Sequence, residues 1–261
     1  MQGCQMRSHD DAVLEQFDAR ASAYLTSAVH ATGPDLEQAV QQVRQLRSRV
    51  SMLDVGCGAG HLSFALAPFF ETAVATDVSP SMLATARAAA VQRGLPQIQV
   101  KQANAEALPF ADGTFDLVCS RYSAHHWHDL AAALREMRRV ARPGGTLLMI
   151  DLLGDESPVV DTHLQTIELL RDPSHVRDYS PSQWRRYFQS AGLVLQQESS
   201  WITRLEFRSW IERMRTPPAS VAAIRALLAQ ASGQVRAGLA VEMDGSFAPR
   251  TGLFCAQVPL S

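Results

Sequence analysis

The chain has 261 residues, room for one large domain or a domain carrying a subdomain, and its 46% apolar content is that of an ordinary globular protein. Its 24 basic and 26 acidic side chains give a net charge of -2 with no basic stripe, which excludes the electrostatic footprint of a nucleic-acid binder. The four cysteines, Cys4, Cys57, Cys119 and Cys255, include no CxxC pair, and there is no signal-peptide pattern or membrane-length apolar run, so a zinc ribbon, a disulfide scaffold and a membrane span are excluded and a soluble cytoplasmic protein is expected.

Residues 10–48 carry apolar side chains at helical spacing, broken at Gly33-Pro34, so two helices are expected there. The basic run 44–50 reads as a solvated helix end. From residue 50 the rhythm changes. Strands are expected at 50–56, 72–79, 97–103, 114–120 and 146–152, and helices at 61–70, 80–94 and 130–142. Ser79 is the expected N-cap of the 80–94 helix, with Pro80 in its first turn and Gly94 as its stop; Pro143-Gly144-Gly145 is the expected stop of the next. Strands alternating with helices, and strands that are nearly all apolar, specify an α/β fold with a parallel sheet covered on both faces. Further on, helices are expected at about 158–171 and 181–191, a strand near 193–199, a helical region at 207–237 broken by Pro217-Pro218, and a last strand at 251–258.

The segment LDVGCGAG (53–60) sets Gly56, Gly58 and Gly60 at alternate positions directly after the first strand. Glycines there let a ligand approach the backbone closely, beyond the carboxyl ends of the strands. The dinucleotide fingerprint is G-x-G-x-x-G, and His61 stands where its last glycine belongs; no G-K-[ST] follows either, so neither NAD nor ATP suits the loop. Asp77, at the end of the second strand, can accept both hydroxyls of a ribose or cap the next helix; Asp54 can face the ligand or satisfy loop amides.

Five segments in this order, LDVGCGAG, TDVS-x-x-ML, ANAEALPFADGTFDLV, SRYSAHHW and LREMRRVARPGG, resemble class I methyltransferases that use S-adenosylmethionine (SAM), in the branch similar to ubiquinone/menaquinone biosynthesis C-methyltransferases (UbiE-like). The resemblance covers residues 10–152 well and the remainder loosely. It implies a Rossmann-like, seven-stranded, mostly parallel sheet with helices on both faces, a helical lid, and an antiparallel seventh strand at 251–258. It divides the chain into an N-terminal helical cover (1–48), a SAM-binding core (49–155), acceptor-side helices and lid with a late strand (156–250), and a C-terminal strand (251–261). It implies Asp54, Gly56, Gly58 and Gly60 at the methionine end of SAM, Asp77 on the ribose and Met82 beside the adenine. Asn104, Ala105 and Glu106 fall at the adenine edge, and Arg121, with Ser120, beside the methionine portion. Asn104 replaces the aspartate usual in the family; its amide oxygen can still accept from an adenine amino group. The N-terminal helices would fold over the cofactor, with Tyr24 the expected contact.

A sulfonium methyl is already an electrophile, so the protein must align the acceptor and exclude water, and needs a base only if the acceptor must lose a proton. The run RYSAHHWHD (121–129) follows the fourth strand at the ligand edge. His125 and His126, with Tyr24, are the candidate catalytic residues, although a histidine there could also cap a helix or bond backbone. A zinc site of His125, His126 and His128 is not expected, because adjacent histidines on one short segment do not easily converge on a metal. Trp127 is expected to be a wall. His175, Arg177, Tyr179, Trp210 and Arg213 are candidates for the acceptor pocket, and Arg135, Arg138 and Arg139 for a solvated helix face. The expected activity is methyl transfer to a small-molecule acceptor, with no nucleic-acid or membrane partner and a homodimer left open. Two other readings keep SAM: cyclisation or elimination of its aminocarboxypropyl arm, releasing methylthioadenosine, and binding without catalysis. A nicotinamide oxidoreductase is disfavoured by His61.

Overall fold

The structure is a computed structural model that describes residues 8–18 and 33–260. Tyr24 and Cys4 lie outside the described residues. Seven strands form one sheet: β1 (Ser51–Val55), β2 (Thr72–Asp77), β3 (Ile98–Gln102), β4 (Phe115–Arg121), β5 (Ala141–Leu153), β6 (Val194–Ile202) and β7 (Arg250–Gln257). Their order is β3-β2-β1-β4-β5-β7-β6, with only β7 antiparallel to its neighbours. The chain runs from β1 outward to β3, then returns to place β4 on the other side of β1. Connections on the two sides of that switch point diverge and open a cleft at the carboxyl ends of β1 and β4.

The helices are α1 (His9–Asp18), α2 (Pro34–Arg44), α3 (His61–Leu66), α4 (Pro80–Gln92), α5 (Leu130–Val140), α6 (Pro158–Arg171), α7 (Pro181–Ser190), α8 (Phe207–Met214), α9 (Pro218–Ala229) and α10 (Gly233–Gly238). Successive strand residues point to opposite faces, so Met52, Leu117 and Leu148 join one core with α2, α3 and α4, while Leu53, Val118 and Leu147 join the other with α5 and α7. That double cover is why these strands are apolar throughout instead of alternating. A third core joins α6 to α8, α9 and α10 through Ile167, Trp210, Ile224 and Leu228. Its Trp210 lines one end of the cleft. Among the described residues no helix is long and apolar enough to cross a membrane.

Several expectations need correction. Pro143-Gly144-Gly145 does not stop a helix: α5 ends at Val140, and the three residues lie inside β5, beside a register shift in its pairing with β4. An irregular stretch tolerates the missing proline N–H. The 61–70 helix shortens to α3 and a 3-10 turn at Ala67–Phe69, where Pro68 has no N–H to continue an α-helix. Residues 207–237 form three helices, the first ended by Arg215 in the left-handed region (φ 50°). Arg139 is not simply solvated: it donates to Glu136, to Asp112 and to the carbonyls of Leu108 and Phe110, tying down that loop.

Candidate active site

The cofactor side is built by the ends of β1 and β2. Asp54, next to last in the buried strand β1, is 1% exposed; its Oδ2 accepts from Ser63 Oγ at 2.6 Å, and its buried Oδ1 has no partner among the described residues. Burial pushes this carboxyl up to about 6. Asp77 accepts from the Gly58 amide on Oδ2 and from the Ser79 amide on Oδ1, both at 2.9 Å, and burial raises it as well. It therefore sets the shape of the glycine loop. The helix cap is Ser79, whose Oγ accepts from the Met82 amide.

The three glycines serve three purposes. A Cβ on Gly58 (φ +50°) would meet nothing within 4 Å, and this residue lines the cleft. A Cβ on Gly56 would stand 2.0 Å from Ser123 Oγ, so this glycine lets the β1 and β4 turns close on each other. Gly60 precedes α3, does not line the cleft, and gives way to Phe64 and Ala86.

Met82, buried against Ala59 and Phe17, lines the cleft, as do Asn104, Ala105 and Glu106. The amide oxygen of Asn104 accepts from the Glu106 N–H, and Glu106 in turn accepts from the Asp129 N–H, so both shape the loop before α5. Arg121 pairs with Asp35 of α2, and its guanidinium lies 4.8 Å from the Tyr122 ring centroid. These residues fit SAM. Asp54 Oδ1 is a buried acceptor suited to an ammonium group. The Asp77 oxygens keep lone pairs for ribose hydroxyls, and the missing Gly58 side chain leaves room at the backbone.

The other side of the cleft is built around the turn after β4. His125 Nδ1 lies 2.6 Å from Asp151 Oδ1, and Asp151 Oδ2 accepts the His125 backbone N–H. Burial works against the charged ring, but the Asp151 carboxylate prevails and His125 rises to about 9. The adjacent His126 has the opposite fate. Burial, and next the charge on His125, lower it to about 4. Its Nδ1 lies 3.1 Å from the Ser174 carbonyl oxygen, which can only accept, so Nδ1 carries the proton and Nε2 keeps a lone pair. Helix α1 bridges the two sides: His9 Nε2 donates to the His126 carbonyl, Phe17 meets the His126 ring edge-on at 5.0 Å, and Asp18 accepts from Ser79 Oγ.

His128 is 76% exposed at the side chain, away from the His125–Asp151 pair. Trp127 donates to Ser123 Oγ and walls the cleft. Of the acceptor candidates, Trp210 and Arg213 line the cleft, whereas His175, Arg177 and Tyr179 do not. His175 donates from Nε2 to Gln165, Arg177 pairs with Asp161, and Tyr179 packs edge-on against Trp184 and Tyr187. The sequence pointed to the turn-like 172–180 stretch as a substrate loop without naming its Asp172 and Asp178, and missed Asp151, Glu168 and Arg171; all five stand at this end. Asp151 carried a usable signal, a lone carboxylate inside the apolar run TLLMIDLL.

The family described as a methyltransferase domain matches residues 53–149. The chain is 46% identical over 192 residues to the uncharacterized protein YafE of Escherichia coli, spanning 74% of this chain and 93% of that one. It is 33% identical over 244 residues to the uncharacterized methyltransferase YcgJ of Bacillus subtilis, spanning 94% of this chain and 95% of that one. The crystal structure of YcgJ superposes with a TM-score of 0.82, covering 86% of this chain and 98% of YcgJ. A ubiquinone/menaquinone biosynthesis C-methyltransferase, UbiE of Hahella chejuensis, is 38% identical over 120 residues, 44% of this chain and 48% of that enzyme. The chain belongs to the class I SAM-dependent methyltransferases, with UbiE-like similarity in its core.

Proposed function

We propose that the protein methylates a small molecule bearing an acidic hydroxyl or an enolisable carbon, with His126 as base and His125 as the group that holds the resulting anion. One observation carries this reading: two neighbouring imidazoles, 4.1 Å between ring centroids, are driven to opposite protonation states by different partners. Groups pushed apart in this way divide acid and base work between them.

When bound, SAM supplies an electrophilic sulfonium methyl. Asp54, Asp77, Met82 and the Gly56–Ala59 backbone would hold it. His125, an imidazolium at neutral pH, has Nδ1 committed to Asp151 and keeps Nε2–H to donate to an acceptor oxygen. His126 is neutral and takes the acceptor's proton on Nε2. A base near 4 is weak, so the transfer works only because the anion forms beside an imidazolium. Helix α1, through His9 and Phe17, shields His126 from water. The absence of a basic stripe favours a small molecule over a nucleic acid, and the C-methyltransferase among the relatives favours an aromatic or quinone-like ring.

The test is product analysis. Purified protein is incubated with SAM alone, then with a panel of phenols and hydroquinones, and nucleosides are identified by mass spectrometry. S-adenosylhomocysteine formed only with an acceptor is the expected result. Methylthioadenosine from SAM alone, above the spontaneous background, would replace methyl transfer by reaction of the aminocarboxypropyl arm.

A further inference from the structure

Four carboxyl groups face one another behind the two histidines: Asp151 of β5, Asp161 and Glu168 of α6, and Asp178 of the 172–180 loop. Three of them have a cation each. Asp151 pairs with His125 at 2.6 Å, Asp161 with Arg177 at 2.5 Å, and Glu168 with Arg171 at 3.3 Å. A fifth carboxyl nearby, Asp172, accepts the N–H and O–H of Ser174. Asp178 is 1% exposed and lines the cleft, and its Oδ2 has no hydrogen-bond partner among the described residues.

Asp178 is not loosely placed. Gln165 grips its backbone from both sides, accepting from the Asp178 N–H and donating to the Asp178 carbonyl. The adjoining strand end is pressed against it, since a Cβ on Gly154 would fall 2.4 Å from the Asp178 carbonyl oxygen. The fold thus places a buried carboxyl where Oδ2 has no hydrogen-bond partner among the described residues. Such a group is costly unless a ligand completes it.

We propose that Asp178 is the specificity-determining residue of the acceptor subsite and that it receives an ammonium group on the acceptor. The inference rests on the acceptor-side reading of the cleft given above. Of these four carboxyls Asp178 alone is in no ion pair among the described residues, and the missing cation comes with the substrate. The ammonium is a handle; the methylated atom is a different one, placed toward His125 and His126. Burial and the neighbouring Glu168 push the Asp178 carboxyl well above the usual carboxylate range against the pull of His125, and an ammonium beside it favours its charged form.

The test is calorimetry on protein saturated with S-adenosylhomocysteine, titrated with 2-phenylethylamine, 2-phenylethanol and phenylacetate. The amine is expected to bind at least about tenfold more tightly than the other two. Repeating the titration in buffers of different ionisation enthalpy should show net proton release on amine binding. Asp178→Asn should erase the preference and the proton release while leaving the affinity for S-adenosylhomocysteine unchanged and the melting temperature of the ligand-free protein no lower; Asp178→Ser serves if the amide variant does not fold. Equal binding of the three probes, binding of none, or an unchanged preference in Asp178→Asn overturns the proposal. So does a loss confined to SAM relative to S-adenosylhomocysteine, which would assign the carboxyl to the sulfonium. Failure of S-adenosylhomocysteine to bind at all would instead overturn the reading of the cofactor side.

Discussion

His125 and Asp151, 26 positions apart, meet Nδ1 to Oδ1 at 2.6 Å where the turn after β4 crosses the end of β5. This contact fixes the charge of the acceptor site. It holds one imidazole protonated, and that imidazolium helps burial keep the next imidazole neutral.

The first prediction concerns pH. The folded His125 lies near 9, above its ordinary value of 6.5, so the stability it contributes is fully present below about 6.5 and is lost as pH rises through 9. The ceiling of that contribution is about 3 kcal/mol, at about 1.4 kcal/mol for each pH unit. Denaturant unfolding at pH 6 and pH 9.5 measures the loss, and nitrogen-15 NMR of the ring follows the titration. In Asp151→Asn the burial that opposes the charged ring is offset only by Asp178 and Glu168, and His125 should titrate well below 9 with a matching loss of turnover at neutral pH.

His126→Ala should lower turnover by about 100-fold or more, the usual range for a lost general base. Affinity for S-adenosylhomocysteine should change little. Steady-state kinetics set beside calorimetry separates the two. Equal losses in both would make His126 a structural residue beneath α1.

Gly58 and Gly56 should fail differently. Gly58→Ala places its Cβ in open space at a backbone angle that costs about 1 kcal/mol, so the protein should fold but bind SAM poorly. Gly56→Ala drives its Cβ against Ser123 and should unfold the protein at a lower temperature. Melting curves with and without S-adenosylhomocysteine read both effects.

Asp54 trades stability for binding. Its folded carboxyl is raised to about 6, so the protein is destabilised as pH rises from about 4 through 6. Asp54→Asn should therefore raise the melting temperature of the ligand-free protein at pH 7 and remove the pH dependence in that window. The same substitution should weaken SAM binding at least about tenfold, measured by calorimetry.

Much of the scaffold was legible in the chain. The doubly covered strands read as apolar runs, and Ser79 and Pro80 announced the start of α4. The glycine loop and Asp77 could be placed at the cleft because a loop between a first strand and a first helix must lie at the carboxyl edge. Pro143-Gly144-Gly145 misled, because proline and glycine mark a break in helix pattern without saying whether a turn or an irregular strand follows. His175, Arg177 and Tyr179 misled for another reason: polar residues in a turn-like stretch can as easily tie the loop to α6 and α7 as face a ligand.

The sequence by itself determined the order of elements, the glycine loop at the cleft and the location of the histidine pair, since each depends on spacing within one short segment. Only the tertiary structure decided which histidine is charged, which glycine opens onto the cleft and which carboxyl has no ion pair among the described residues. Those properties depend on burial and on distances of a few ångströms between side chains from β4, β5, α6 and the 172–180 loop, and sequence spacing carries no record of such distances.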